Sequence, residues 1–482
     1  MKLFRSIKQR GGCVPLLPFA ALGFLAAASL PAAENSGAYA LKDAKVVRVS
    51  GPAIEIGTVL VRDGLIEAVG ENIAIPADAW VIDCKGLTVY PGLIDSFGTV
   101  GIPGAAMQSS GGGGRNGAAA APAANMAMAS APVSRGPEDR PSNESYTKAA
   151  DSISATDPRI ETYRNGGILT SVTFSSGKIF NGNGSVINLA GEKPGQMVIA
   201  DAVGQSIALR ASAGYGRSYP GSLMGYVAYV RQIYLDAERY KAAKAIYEKN
   251  PQGLVRPAYD RTLEGVVNSA RILLPATRGP EIERMVTFAK EIKQPLILVG
   301  GQEAYREVDF LKAANVPLLI SAKWPTKPMD TDPENVEALR ILENREKAPA
   351  TPGILAKAGV KFAFYFDGIA TPKEMLAAVK KAIDLGLSPA DALRALTLTP
   401  AELFGVSNRL GSVDKGKIAN LVVTDGDIFA GATKTKFVFV DGAKFEVPVD
   451  AAPAGRGGFG RGGAATLPQD FKQKNDMQGV NR

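Results

Sequence analysis

Two carboxylates close apolar runs in this sequence, and both stand where chemistry could begin. Asp95 ends VYPGLID within VYPGLIDSFGTVG (Val89 to Gly101), and Asp367 ends FAFYFD. A carboxylate delivered at a strand end can accept a proton, hold a cation through oxygen, or order the chain. Ser96, Phe97, Gly98 and Thr99, which follow Asp95, supply neither a strong base nor a good set of metal donors. The wider search is bounded by a zero: the 482 residues include no histidine. That excludes Ser-His-Asp and Cys-His nucleophiles and every imidazole-held zinc or iron site. Oxygen ligands for Mg²⁺, Ca²⁺ or Mn²⁺ remain. Glu303, Asp309 and Asp367 lie on units able to face one mouth, but no spacing singles them out. The glycine-rich SSGKIFNGNGS (Ser175 to Ser185) sets Lys178 among backbone amides as a phosphate cradle would, without the P-loop pattern. Lys323, Trp324 and Tyr365 fall at strand ends, either lining a ligand pocket or packing at its rim.

The elements that must position these residues fall into three blocks. From Leu41 to Val89 the chain reads as short strands rich in β-branched residues, with an Asp63-Gly64 turn. The same texture returns from Ser412 to Val449, with turns at Asp425-Gly426 and Asp441-Gly442. Two β-rich ends around a different middle predict that the ends fold together. The middle alternates strand and helix. GGILTSVTF reads as a strand and GYVAYVRQIYLDAERYKAAKAIYEKN as a helix. EIERMVTFAKEIK leads into PLILVGG, EAYREVDFLKAAN into VPLLISA, PGILAKAG into VKFAFYFDG, and TPKEMLAAVKKAIDLG closes the series. Uniformly apolar strands followed by helices predict a parallel sheet with both faces covered, closed into a barrel with its site at the C-terminal strand ends.

Hydrophobic residues at 46% and charged residues at 21% suit a soluble globular chain with a sizeable core. The N-terminus reads as an export signal: Lys2, Arg5, Lys8 and Arg10 precede an apolar Val14–Leu30, and Pro31-Ala32-Ala33 offers a cleavage site. Its removal would take four positive charges from a formal net charge of +8, leaving too little to predict nucleic-acid binding. Cys84 would then be the sole cysteine, so no intramolecular disulfide is expected. Gly104 to Arg140 is too rich in Gly, Ala, Pro and Ser to bury a core, and reads as an insertion or a lid beside the opening motif. Residues 451–482, with GRGGFGRGG, read as a solvated tail.

YPGLID, the βα series and LTLTPAELFGVSNRLGSVDKGKIANLVVTDGD together resemble the amidohydrolase superfamily of metal-dependent hydrolases. NGGILTSVTFSSGKIFNGNGSVINLAG is similar to its imidazolonepropionase-like, exported branch. The resemblance spans most of Leu41 to Val449. It implies a (β/α)8 TIM-type barrel with a composite β-sandwich formed by both chain ends. The implied boundaries are a signal peptide at 1–33, sandwich at 34–95 and 405–450, barrel at 96–404 with its insert at 104–140, and a tail at 451–482. The family's metal, zinc or iron, activates a water, and its ligands would fall on Phe97 and Thr99, at or beside Val299 and Ala322, and on Asp367. Only Asp367 retains a ligand type. No cofactor is therefore expected, and Asp367 is the one candidate base; its alternatives are pairing with a cation or capping the helix at Thr371-Pro372.

The expectation is an exported periplasmic or secreted protein of hydrolase descent without metal-dependent activity. It would bind a small molecule in a pocket drawn from Phe97, Thr99, Lys178, Val299, Ala322, Lys323 and Tyr365. Its partner would be a metal-competent paralogue or a second copy of itself. The alternatives are an active hydrolase acting on a small cyclic amide or peptide-like substrate through Asp367, and a periplasmic interaction protein.

Overall fold

The computed structural model describes residues 37–104, 140–209, 219–327, 336–366 and 368–448. The signal segment, nearly all of the Gly/Ala-rich insert, the tail and Asp367 lie outside the described residues.

Both ends of the described chain enter one eight-stranded sheet. Thr88–Pro91 pairs antiparallel with Leu421–Thr424, Val89 opposite Val423. Two hairpins flank this seam, and each turns on the Asp-Gly pair its sequence specifies. Asp63 and Gly64 both adopt positive φ (50° and 80°) between Arg62 and Leu65, and Asp441 and Gly442 do the same (54° and 77°) between Val440 and Ala443. That pair of left-handed residues matches the twist of the adjoining strands. The two turns also touch: a Cβ on Gly442 would stand 2.6 Å from the Gly64 Cα. Asp425-Gly426 departs from expectation. It makes no tight turn, because the Asp425 carboxylate accepts from the Lys434 amide at 2.8 Å and pins the base of a wider loop before Thr435.

Gly92 marks the change of sheet, since Leu93–Gly98 runs parallel to Ile168–Thr173 instead. This second sheet continues through Ser185–Asn188 to Val198–Ala200. A third runs Phe362–Tyr365, Leu318–Ser321, Leu296–Gly300, Ile272–Ala276, Gln205–Ile207, Phe180–Asn183. The first five of these are mutually parallel and almost wholly buried, as strands covered on both faces must be.

The expected ladder of eight parallel βα units is met in part. Phe180–Asn183 and Ser185–Asn188 run antiparallel to their neighbours, giving mixed α/β sheets. Gly184 breaks the chain between them, and a Cβ there would lie 2.2 Å from the Phe174 ring. The second and third sheets meet at two seams. At one, the Gly184 amide donates to the Gly204 carbonyl at 2.9 Å. At the other, the Ser96 hydroxyl donates to the Phe364 carbonyl at 2.5 Å.

Helices follow the strands where periodicity places them. Leu223–Lys249 starts on a Ser222 cap and Pro372–Asp384 on Thr371, whose hydroxyl accepts from the Glu374 amide. Gly279–Glu291 buries Ile282, Met285, Val286, Phe288 and Ala289, the i, i+3, i+4 face the sequence presents to the sheet.

Candidate functional site

Leu93–Gly98 delivers its last residues to the site with every polar side chain engaged. Asp95 is buried, and its Oδ1 accepts from the Phe366 amide at 3.3 Å. Oδ2 fills the space beside Gly98: a Cβ there would stand 2.7 Å from it, so no larger residue fits. Asp95 and Ser96 thus join the first strand of this region to the last.

Phe97, half-buried, then turns its ring onto two others. Its centroid lies 4.8 Å from that of Phe174, and 5.6 Å from that of Tyr365, which it meets edge to face. Offset and edge-on contacts of this kind contribute about 0.5–1.5 kcal/mol each beyond burial.

Thr99, the other position on this segment at which the resemblance implies a metal ligand, is turned to a different task. Arg159 donates to its hydroxyl at 3.0 Å and to its carbonyl at 2.8 Å, and reaches the Ile102 carbonyl at 2.9 Å. Arg159 is itself gripped by buried Asp157, 2.7 Å away. Burial pushes the Asp157 carboxyl up, but hydrogen bonds from Arg159 and from the Gly101 amide outweigh it and hold the group below the ordinary carboxylate range. Sequence reasoning passed over Arg159; its signal was Asp157-Pro158-Arg159, an N-cap and N1 proline opening the helix Pro158–Asn165.

A cavity of about 880 Å³ opens at the C-terminal ends of the parallel strands, within the range of small-molecule pockets. Phe97, Thr99, Val299 and Tyr365 line it together with Phe174 and Leu273. Lys178, Ala322 and Lys323 are not on its wall. Lys178 pairs with Glu144 at 3.0 Å. Ala322 is buried in the core outside the strands, and the Lys323 carbonyl accepts from the Gln302 amide at 2.8 Å. Trp324 packs as well, its indole donating to the Ala378 carbonyl at 2.8 Å. Asp367 lies outside the described residues. Sequence reasoning also missed the helical wall, where Arg231, Arg284 and Met224 join the lining.

The donor chemistry does not fit the metal the resemblance implies. A phenyl ring, an isopropyl group and a methyl group hold no lone pairs for it, and the Thr99 hydroxyl faces Arg159. Among the described residues, no group of three His, Cys, Asp or Glu side chains is placed to hold an ion. Of the carboxylates on units able to face one mouth, Glu303 is buried and held by Arg340 through contacts of 3.1 and 2.6 Å, and Asp309 is exposed. Burial pushes the Cys84 thiol up to about 12, so it is inert.

Residues 282–447 match the amidohydrolase family. The crystal structure of an amidohydrolase from Thermotoga maritima MSB8 superposes with a TM-score of 0.65 and 24% identity, covering 85% of this chain and all of that one. At that identity the likeness is one of fold, and it implies a TIM barrel with an added sheet domain. Shorter likenesses join it. One is to N-acetylglucosamine-6-phosphate deacetylase of Haemophilus influenzae, 48% identical over 50 residues. The other is to dihydroorotase of Geobacter sulfurreducens, 42% identical over 55. They cover 10% and 11% of this chain, and each spans only 13% of the relative's length. The family match and the fold likeness together support the amidohydrolase superfamily.

Proposed function

We propose that this chain is a ligand-binding barrel of amidohydrolase descent, from the exported imidazolonepropionase-like branch, that no longer performs metal-dependent hydrolysis. The observation that carries the reading is at Phe97. The first residue of the family's ligand pair is a phenyl ring, packed on Phe174 and Tyr365, at the floor of a cavity able to take a small molecule. A chain without histidine has no imidazole to restore there. In this reading Thr99 is recruited to loop anchoring, Asp367 is structural, and no zinc or iron is required. The protein acts in the periplasm or after secretion, once its signal peptide is removed. It works alone, as a homo-oligomer, or beside a metal-competent paralogue, and nucleic acid is not a partner.

Purified mature protein should contain no stoichiometric zinc, iron or manganese, and a chelator should leave its thermal midpoint unchanged. Incubation with each metal should yield no turnover on a panel of dipeptides, hydantoins and acetylated amino sugars. Stoichiometric metal whose removal abolishes hydrolysis would overturn the reading.

A further inference from the structure

The cavity is not confined to the strand ends. It runs outward into a cleft between the helices Leu223–Lys249 and Gly279–Glu291, where Met224, Val227, Met285 and Phe288 line it. Arg231 spans this cleft, donating to Glu291 at 2.5 and 2.9 Å with its guanidinium 5.5 Å from the Phe288 ring centroid. An aromatic chamber continuous with a cleft of thioethers and aliphatic groups suits an elongated apolar body, because methionine adapts its shape to what it meets.

The charges on the wall decide what such a body should carry. Arg231 is matched by Glu291, and Arg278 by Glu281 at 2.7 Å. Burial, and then the neighbouring Glu283 carboxylate with which it shares a hydrogen bond, push the Glu307 carboxyl up. Arg284, exposed on the same wall, has no ion-pair partner among the described residues. Glu283 also lacks a cation but is engaged by Glu307, so among the described residues Arg284 is the charged side chain of this wall with neither a hydrogen bond nor an ion pair; its geometric complement is a carboxylate, which a guanidinium holds through two parallel hydrogen bonds.

We propose that this cavity binds an elongated apolar molecule bearing one carboxylate, with its body along Phe97, Phe174 and the Met224–Met285 cleft and its carboxylate on Arg284. The proposal rests on the reading of the chain as a ligand binder and adds the class of ligand.

Calorimetry with decanoate, decanol and decyltrimethylammonium, all below their micelle concentrations, tests it on the full mature chain. Decanoate should bind one to one, with decanol roughly five-fold weaker and the cation weaker still, as a partly exposed ion pair allows. Arg284→Gln, an exposed change that should leave the thermal midpoint in place, should bring decanoate down to decanol while decanol is unchanged. Equal binding of decanoate and decanol overturns the proposal and leaves the binder reading standing. Absence of binding by all three overturns the ligand class. Hydrolysis of N-decanoylglycine that depends on Arg284 supports the ligand class and overturns the non-catalytic reading beneath it.

Discussion

Arg159 lies 3.0 Å from the Thr99 hydroxyl and also holds the Thr99 carbonyl, so a side chain where the resemblance implies a metal ligand serves to fix a loop. Removing the guanidinium would leave Asp157 buried and short of partners, beside two carbonyls without their donor. Arg159→Ala should cost about 2 kcal/mol of stability, the scale of charge-assisted hydrogen bonds to a buried group. Urea denaturation reads this directly, and an unchanged midpoint would show that the clamp is decorative.

The same clamp gives stability a pH dependence of known sign. The Asp157 carboxyl is depressed in the folded chain, its charged form stabilised by Arg159. Its contribution is therefore complete above the unfolded carboxylate value of about 3.9, and is lost as pH falls toward the lower folded value. Asp157→Asn should weaken the protein at neutral pH and flatten the decline between about pH 5 and about pH 3. Parallel acid arms for wild type and variant would contradict this assignment.

Phe97 is predicted to carry both packing and ligand contact. Truncating a half-buried ring held by two aromatic neighbours should cost about 2 kcal/mol, less than the 3–5 typical of a fully buried phenylalanine. Phe97→Ala should also weaken decanoate and decanol alike, whereas Arg284→Gln separates them. If Phe97→Ala binds both as wild type does, the ring is not part of the binding surface.

Much of this architecture was readable from local chemistry. Apolar runs such as PLILVGG and VPLLISA became buried parallel strands, and Asp63-Gly64 and Asp441-Gly442 became the left-handed turns that pair demands. Asp425-Gly426 carries the same dipeptide but loses its turn to a hydrogen bond reaching Lys434. The reversed strands around Gly184 were hidden because their cause is the Phe174 ring, which no local pattern around Gly184 announces. The burial of Glu303 was hidden for a similar reason: its partner Arg340 comes from the helix Leu339–Lys347, far along the chain. At the site, the absence of histidine was plain, but the helical wall with Arg284 and Met224 depends on how Gly279–Glu291 and Leu223–Lys249 converge.

The Gly64 and Gly442 contact predicts intolerance of a single methyl group. Gly442 combines a φ of 77° with a neighbour 2.6 Å from any added Cβ. Gly442→Ala should cost about 1–3 kcal/mol through backbone strain and displacement of the facing turn, read as a fall in thermal midpoint. A milder loss in Gly442→Asn than in Gly442→Val would separate the backbone term from bulk, since asparagine tolerates positive φ.

That contact also sets an order of events for the growing chain. The Asp63-Gly64 hairpin leaves the ribosome first, and its partner turn at Asp441-Gly442 follows only after the whole intervening segment has been synthesised. Until then Thr88–Pro91 lacks Leu421–Thr424 beside it, and an apolar sheet edge stands open. Pairing across so long a loop is slow. The seam therefore acts as a late lock on this sheet, closed only once the C-terminal strands are available to pair.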